Sequence, residues 1–228
     1  MKMSESVSIA QSKDYLSEGV SKKYMGFSKK ASFTTDAFVM NDDEKIKAIA
    51  HHFKSIMHVL GLDLNDDSLR DTPQRVAKMY VKEIFRGLDP DNKPDISLFE
   101  NSYKYEGMLI EKDITLYSYC EHHLVPIIGK VHVAYYPGQK VIGLSKINRI
   151  VEYYAKRPQV QERLTNQIAE ALKEILQTEH VAVMVDAVHL CVASRGVQDT
   201  HSSTITSHFS GKFLKKASKK EFLEMVKK

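Results

Sequence analysis

The sequence predicts an α+β domain in which N-terminal helices precede an antiparallel four-stranded sheet, with helices packed on one face of that sheet. Three observations predict it. Apolar residues recur at helical spacing in two early stretches, and β-branched and aromatic residues alternate in several later ones. The segments also run helices, two strands, two helices, two strands, an order unlike the regular alternation of a doubly wound parallel sheet.

Residues 1–40 are rich in Ser and Lys without a sustained period, and are expected to form a loosely held arm. A helical segment follows over 41–88. Asn41 and Glu44 have capping-box spacing, and Ile46, Ile49, Ala50, Phe53, Met57 and Leu60 form one helical stripe ending at Gly61. Thr72 then reads as an N-cap with Pro73 at the first helical position. Val76, Ala77, Tyr80, Val81 and Ile84 make the apolar face of this second helix, which Gly87 stops.

The main domain is expected over 89–228. A turn-rich stretch from Asp89 to Pro94 leads to strands at Ile114 to Ser118 and Lys130 to Tyr136, with Pro137-Gly138 closing the second. Val141 to Gly143 offers a short extension. Ser145 caps a helix bearing Ile147, Ile150, Val151 and Tyr154, and Pro158 breaks it. Leu164, Ile168, Ala171, Leu172 and Ile175 mark a long helix, Val181 to Val192 a buried strand and Ser203 to Phe209 a closing strand. From Lys212 the chain is basic, with Phe222, Leu223 and Val226 at helical spacing. No internal repeat is visible.

Composition narrows the function. With 228 residues, 43% of them hydrophobic, the chain can bury a sizeable core. Lys and Arg total 33 against 29 for Asp and Glu, a net +4 that argues against a duplex nucleic-acid binder. Two cysteines cannot build a disulfide framework, and no apolar run suits a signal peptide or membrane span, so the cytoplasm is the expected compartment. Neither a GxGxxG nor a GxxxxGK[ST] pattern occurs, so any nucleotide is bound by other means.

Both cysteines lie beside imidazoles: Cys120 next to His122-His123, and Cys191 next to His189. A pair of free cysteines is more often inert and buried, but histidines at both point to a metal site instead. Thiolate and imidazole are the ligands zinc favours, and three protein ligands leave a fourth position for a reactive water. The two halves are too far apart in sequence for a zinc-finger knuckle, so the fold must assemble them. Spacing leaves the ligand set open: a strand would align Cys120 with His122, a turn would favour His123. On an extended strand His189 and Cys191 would share one side. His51, His52, His58, His132, His180, His201 and His208 lack a cysteine neighbour and are assigned no role.

Ser145, Lys146 and Arg149 open a helix, where free backbone amides and the positive dipole end attract anions. Taken alone this is a weak phosphate signal, since exposed cations on a helix are usually only solvated. Arg75, Lys78 and Arg195 carry the same default, and Gln161 and Glu162 suit an ordinary first helical turn.

Together, Cys-Glu-His-His at 120–123, Gly-Leu-Ser-Lys-Ile-Asn-Arg-Ile-Val at 143–151 and Arg-Pro-Gln-Val-Gln-Glu-Arg-Leu-Thr at 157–165 closely resemble GTP cyclohydrolase I. The resemblance continues through His189-Leu190-Cys191 and Ser194-Arg195-Gly196-Val197, and runs from about Asn41 to Gly211. It implies the tunnelling fold, with sheets of five subunits closing a barrel, two such rings forming a homodecamer, and active sites lying between subunits. It implies zinc on Cys120, His123 and Cys191, with His122 and His189 as acid/base groups. Glu162 and Gln161 would bind guanine, Ser145 would lie near the ribose, and Lys146, Arg149 and Arg195 would hold the triphosphate with Arg75 and Lys78. The implied reaction is hydrolysis of GTP to formate and dihydroneopterin triphosphate, the entry to pterins and tetrahydrofolate. Three alternatives remain: a zinc-stapled assembly protein without activity, another pterin or deazapurine enzyme of the same fold, and a Cys120–Cys191 redox pair.

Overall fold

The computed structural model describes residues 40–227. Apart from Met40, the expected N-terminal arm lies outside the described residues. Helix α1 (Asp42–Val59) starts as its sequence dictates: Glu44 N–H donates to Asn41 Oδ1 at 3.0 Å, and Asn41 N–H donates to Glu44 Oε2 at 2.8 Å. It buries Ile46 and Met57 and leaves Ile56, Val59 and Leu60 exposed, Val59 to 85%.

Helix α2 (Thr72–Met79) is capped one residue earlier than expected, at Asp71, whose carbonyl accepts from Arg75 N–H at 3.0 Å; Thr72 is already helical. Nor does one helix run to Gly87. The chain widens into a π-turn at Tyr80–Ile84 and tightens into a 3₁₀ turn at Arg86–Leu88. Gly87 is there because nothing larger fits: an added Cβ would lie 2.1 Å from Tyr153 O and 2.8 Å from Lys156 O. Its N–H donates to Lys156 O at 2.9 Å, and Arg86 pairs with Glu152 at 2.5 Å, so this turn ties the early helices to the later helix that carries Glu152.

Two sheets follow. Strands β1 (Leu98–Glu100) and β4 (Lys140–Ile142) make a small antiparallel ribbon. The main sheet holds β2 (Leu109–Cys120), β3 (Pro126–Tyr135), β5 (Pro158–Gln159), β6 (Val181–His189) and β7 (Thr204–Phe209), in the order β5-β2-β3-β6-β7. The expectation of four antiparallel strands thus needs correction: a fifth, two-residue strand pairs parallel to the end of β2 through Cys120 and Gln159. A two-residue strand has no period to read, which is why it escaped the sequence. A bulge between Glu111 and Ile114 interrupts β2, with Asp113 at φ 60° donating its N–H to His132 Nδ1 at 3.2 Å.

Helices α3 (Leu144–Ala155) and α4 (Gln161–Leu176) cover one face. Residues Ile114, Leu116, Ser118 and Cys120 alternate inward along β2, and the buried Ser118 hydroxyl donates to Ala155 O of α3 at 2.8 Å. From α4, Leu164, Ile168 and Leu172 are fully buried, each contributing about 1.5–3 kcal/mol. The expectation that helices pack on one face only also needs correction. Helix α6 (Lys216–Val226) brings Phe222, with Phe213, against Ala134 and Ala182, which alternate with the inward Val133 and Val183. The apolar face of α6 was legible, but its choice of surface depends on the chain reversal at Gly211, whose φ is 55°.

Candidate active site

The end of β2 and the turn after it supply the first half of the site. Cys120 closes β2 and is 5% exposed. Its N–H donates to Val125 O at 2.9 Å while its carbonyl accepts from Leu124 N–H at 2.8 Å, with Leu124 at φ 53°. This tight turn brings both histidines back to the thiol: His122 Nδ1 lies 3.7 Å and His123 Nδ1 3.8 Å from Cys120 Sγ. Backbone periodicity could not choose between them because the chain is neither extended nor helical here.

The second half comes from β6. His189 is the last residue of that strand, paired with Ile127, and Cys191 sits in a one-turn helix, α5 (Leu190–Ala193). The strand expected to reach Val192 ends at His189, so His189 and Cys191 do not share a side by strand alternation. The turn of α5 carries Cys191 instead. Its sulfur, Cys120 Sγ and a ring nitrogen of His123 all lie within 4.8 Å of one another. Burial, and then the neighbouring Cys120 thiol, push the Cys191 thiol pKa up.

Behind His189 stands Gln161, the first residue of α4 and only 1% exposed. Its Nε2 donates to Thr204 O at 2.7 Å, with Val185 O and Thr206 Oγ1 each at 3.2 Å. Two carbonyls around the nitrogen fix which end of the amide is which, so the oxygen is the end that meets His189 Nε2 at 2.8 Å. An amide oxygen only accepts, so Nε2 carries the proton and Nδ1 keeps its lone pair. Burial lowers the His189 pKa, and the Glu162 carboxylate opposes that shift more weakly.

The structure thus groups Cys120, His122, His123 and Cys191, with Arg195 acting on Cys191 through space, and separately groups His189 with Gln161 and Glu162, the two sets being joined along the chain by His189 and Cys191. The other expected substrate residues lie elsewhere on this chain. Ser145 and Lys146 are at the start of α3, and Arg149 lines a separate cleft of about 450 Å³ with Lys112, Tyr117, Asn148 and Lys156. Arg75 is exposed beside Asp71 at 3.7 Å, and Lys78 is exposed on α2. Two contributors were not singled out from sequence. Glu121 and Arg163, both inside the quoted motifs, form an ion pair at the turn.

The donor set suits zinc: two sulfurs and one imidazole nitrogen, in a spread that small side-chain rotations reduce to bonds of about 2.0–2.3 Å. The model of the GTP cyclohydrolase I family matches residues 49–227. A protein of Flavobacterium johnsoniae named GTP cyclohydrolase 1 is 56% identical over 94% of this chain and 96% of its own. Proteins of the same name from Histophilus somni and Actinobacillus pleuropneumoniae are 53% and 55% identical, over 83% and 82% of this chain and 88% and 86% of theirs. A solved archaeosine synthase QueF-like structure covers 46% of this chain and 93% of its own at a TM-score of 0.39 and 19% identity, too slight a likeness to bear on function.

Proposed function

Because the chain belongs to the GTP cyclohydrolase I family, we propose that it hydrolyses GTP to formate and 7,8-dihydroneopterin triphosphate at a zinc site made of Cys120, His123 and Cys191. The observation that carries this is the convergence of those three donors from β2, its turn and α5. Zinc held by three protein ligands keeps a position for water and makes that water reactive near neutral pH.

The chain's own groups supply the rest. Glu162, exposed on the first turn of α4, can accept from both N1–H and the exocyclic amine of guanine, a pattern adenine does not offer. His122 is exposed beside the ligand thiol and is placed to give a proton to the imidazole part of the base. His189 presents Nδ1 as an acceptor, because Gln161 holds the proton at Nε2, and it serves the later opening of the ribose. Gln161, which the resemblance assigns to guanine, contributes by holding His189.

A triphosphate needs several cations, and Lys146, Arg149, Arg195, Arg75 and Lys78 are spread over α2, α3 and the segment after α5. A site shared between subunits supports their joint use. Tyr117 and its partner Ile128 are exposed on the sheet face opposite α3 and α4, as is Ile205 on β7. That apolar surface supports a homo-oligomer of the tunnelling-fold kind, a decamer of two rings. No helix among the described residues is long and apolar enough to cross a membrane; a cytoplasmic enzyme remains our proposal.

The test is direct. Purified protein incubated with GTP and zinc should release formate and develop pterin absorbance, and a chelator should stop both. A zinc-stapled protein without activity would bind metal and form neither product; a Cys120–Cys191 redox pair would bind none while oxidised.

A further inference from the structure

We propose that Arg163 and Glu121 form a clasp that fixes the ligand-bearing turn against the first turn of α4, making Arg163 a positioning residue that never touches substrate. The proposal rests on Cys120, His123 and Cys191 being metal ligands. Between Cys120 and His123 lies Glu121, and it is held from outside the turn twice. Its N–H donates to Gln159 O at 3.0 Å, and its carboxylate pairs with the Arg163 guanidinium.

Arg163 is fixed in turn. Its Nε donates to Gln159 Oε1 at 3.0 Å and its Nη2 to Pro158 O at 3.0 Å. Gln159, 1% exposed, donates from Nε2 to Tyr154 O at 2.9 Å and to Gln167 Oε1 at 2.8 Å. The turn carrying His122 and His123 is therefore tied to the end of α3 and to the start of α4, which presents Glu162. A guanidinium can meet three acceptors in fixed directions, whereas an ammonium on a flexible stem cannot hold that geometry. With its charge matched by Glu121, Arg163 is also poorly suited to receive a phosphate.

The two side chains are only 26% and 31% exposed, so removing either also costs stability, and the metal-site readouts are what separate a positioning role from a merely structural one. The full-length zinc enzyme and its Arg163→Ala, Arg163→Lys and Glu121→Gln variants would be compared in three ways: zinc release to a chelator, the visible spectrum after cobalt substitution, and kcat and KM for GTP. Groups that orient metal ligands change metal affinity or activity by about 10- to 100-fold when removed. R163A and E121Q should each release zinc and lose kcat within that range, with KM little changed and cobalt bands shifted. R163K should fall between, and the double variant should be no worse than either single.

Wild-type release rates and cobalt spectra in R163A and E121Q would overturn the clasp, as would a lowered melting temperature with metal and kcat intact. A raised KM in R163A alone, with normal kcat, would make Arg163 a substrate contact instead. Should R163A fail to fold, R163K and E121Q decide by the same readouts. Wild-type protein that took up neither zinc nor cobalt would remove the ligand assignment itself, and the clasp with it.

Discussion

The Gln161 side-chain oxygen lies 2.8 Å from His189 Nε2, and the same amide's nitrogen is bound to Thr204 O and Val185 O of the two adjoining strands. One buried glutamine therefore joins the start of α4 to β6 and β7 and sets the tautomer of a proposed proton-transfer group.

Gln161→Ala should lower kcat by about tenfold or more with little change in KM, since proton transfer at a positioned group is worth at least that much. It should also destabilise the fold by about 1–3 kcal/mol, because it strips a donor from buried carbonyls. Steady-state kinetics and denaturant titration check both. An unchanged kcat would show that His189 needs no such support.

Cys191→Ser should abolish zinc retention while circular dichroism stays close to wild type. Because burial and Cys120 raise the Cys191 thiol pKa, forming the ligand thiolate is favoured by higher pH. Zinc affinity, read by competition with a chromogenic chelator, should therefore climb with pH from about 6.5 to 8.5. Full zinc occupancy in C191S would refute the ligand assignment.

For His122→Ala the expectation is retained zinc and GTP binding with loss of formate release, a drop of about 10²- to 10⁴-fold for a lost general acid. Formate assay and metal analysis on one preparation check it. Wild-type turnover would rule out the acid role.

Glu162→Ala should cost guanine its carboxylate partner, so competition between GTP and ATP should lose most of its preference. Removing one partner of a charged hydrogen-bond pair is worth about 1.5–3 kcal/mol, or roughly 10- to 100-fold in affinity. Equal GTP affinity in the variant would place the base elsewhere.

Stability should fall in mild acid through His132. Burial depresses its pKa below the ordinary 6.5, so the unfolded chain takes up a proton at a pH where the folded chain does not. The contribution is complete above about 6.5 and is lost as pH falls from there toward the folded value. His208 shifts the same way for the same reason. Denaturant midpoints measured across this window should decline, and His132→Gln, which keeps an acceptor for Asp113 N–H, should flatten the slope. An unaltered slope would assign the decline to other groups.

Much of what depends on near neighbours in the chain was legible in the sequence. The Asn41–Glu44 box, the stripe of α4 and the alternation along β2 are local physics, in which propensity and period leave one solution. The donor types were legible too, because the chain's two cysteines each have histidines beside them, and thiolate and imidazole are the atoms zinc prefers. Tertiary structure alone decided how they meet. Whether Cys191 lies on a strand or a turn, which histidine converges with both cysteines, and which surface α6 covers are long-range matters of register and chain reversal. The tasks of Gln161 and Arg163 were invisible for the same reason: each bonds to groups on other elements, and a polar side chain's partner is set by what the fold brings within about 3 Å of it.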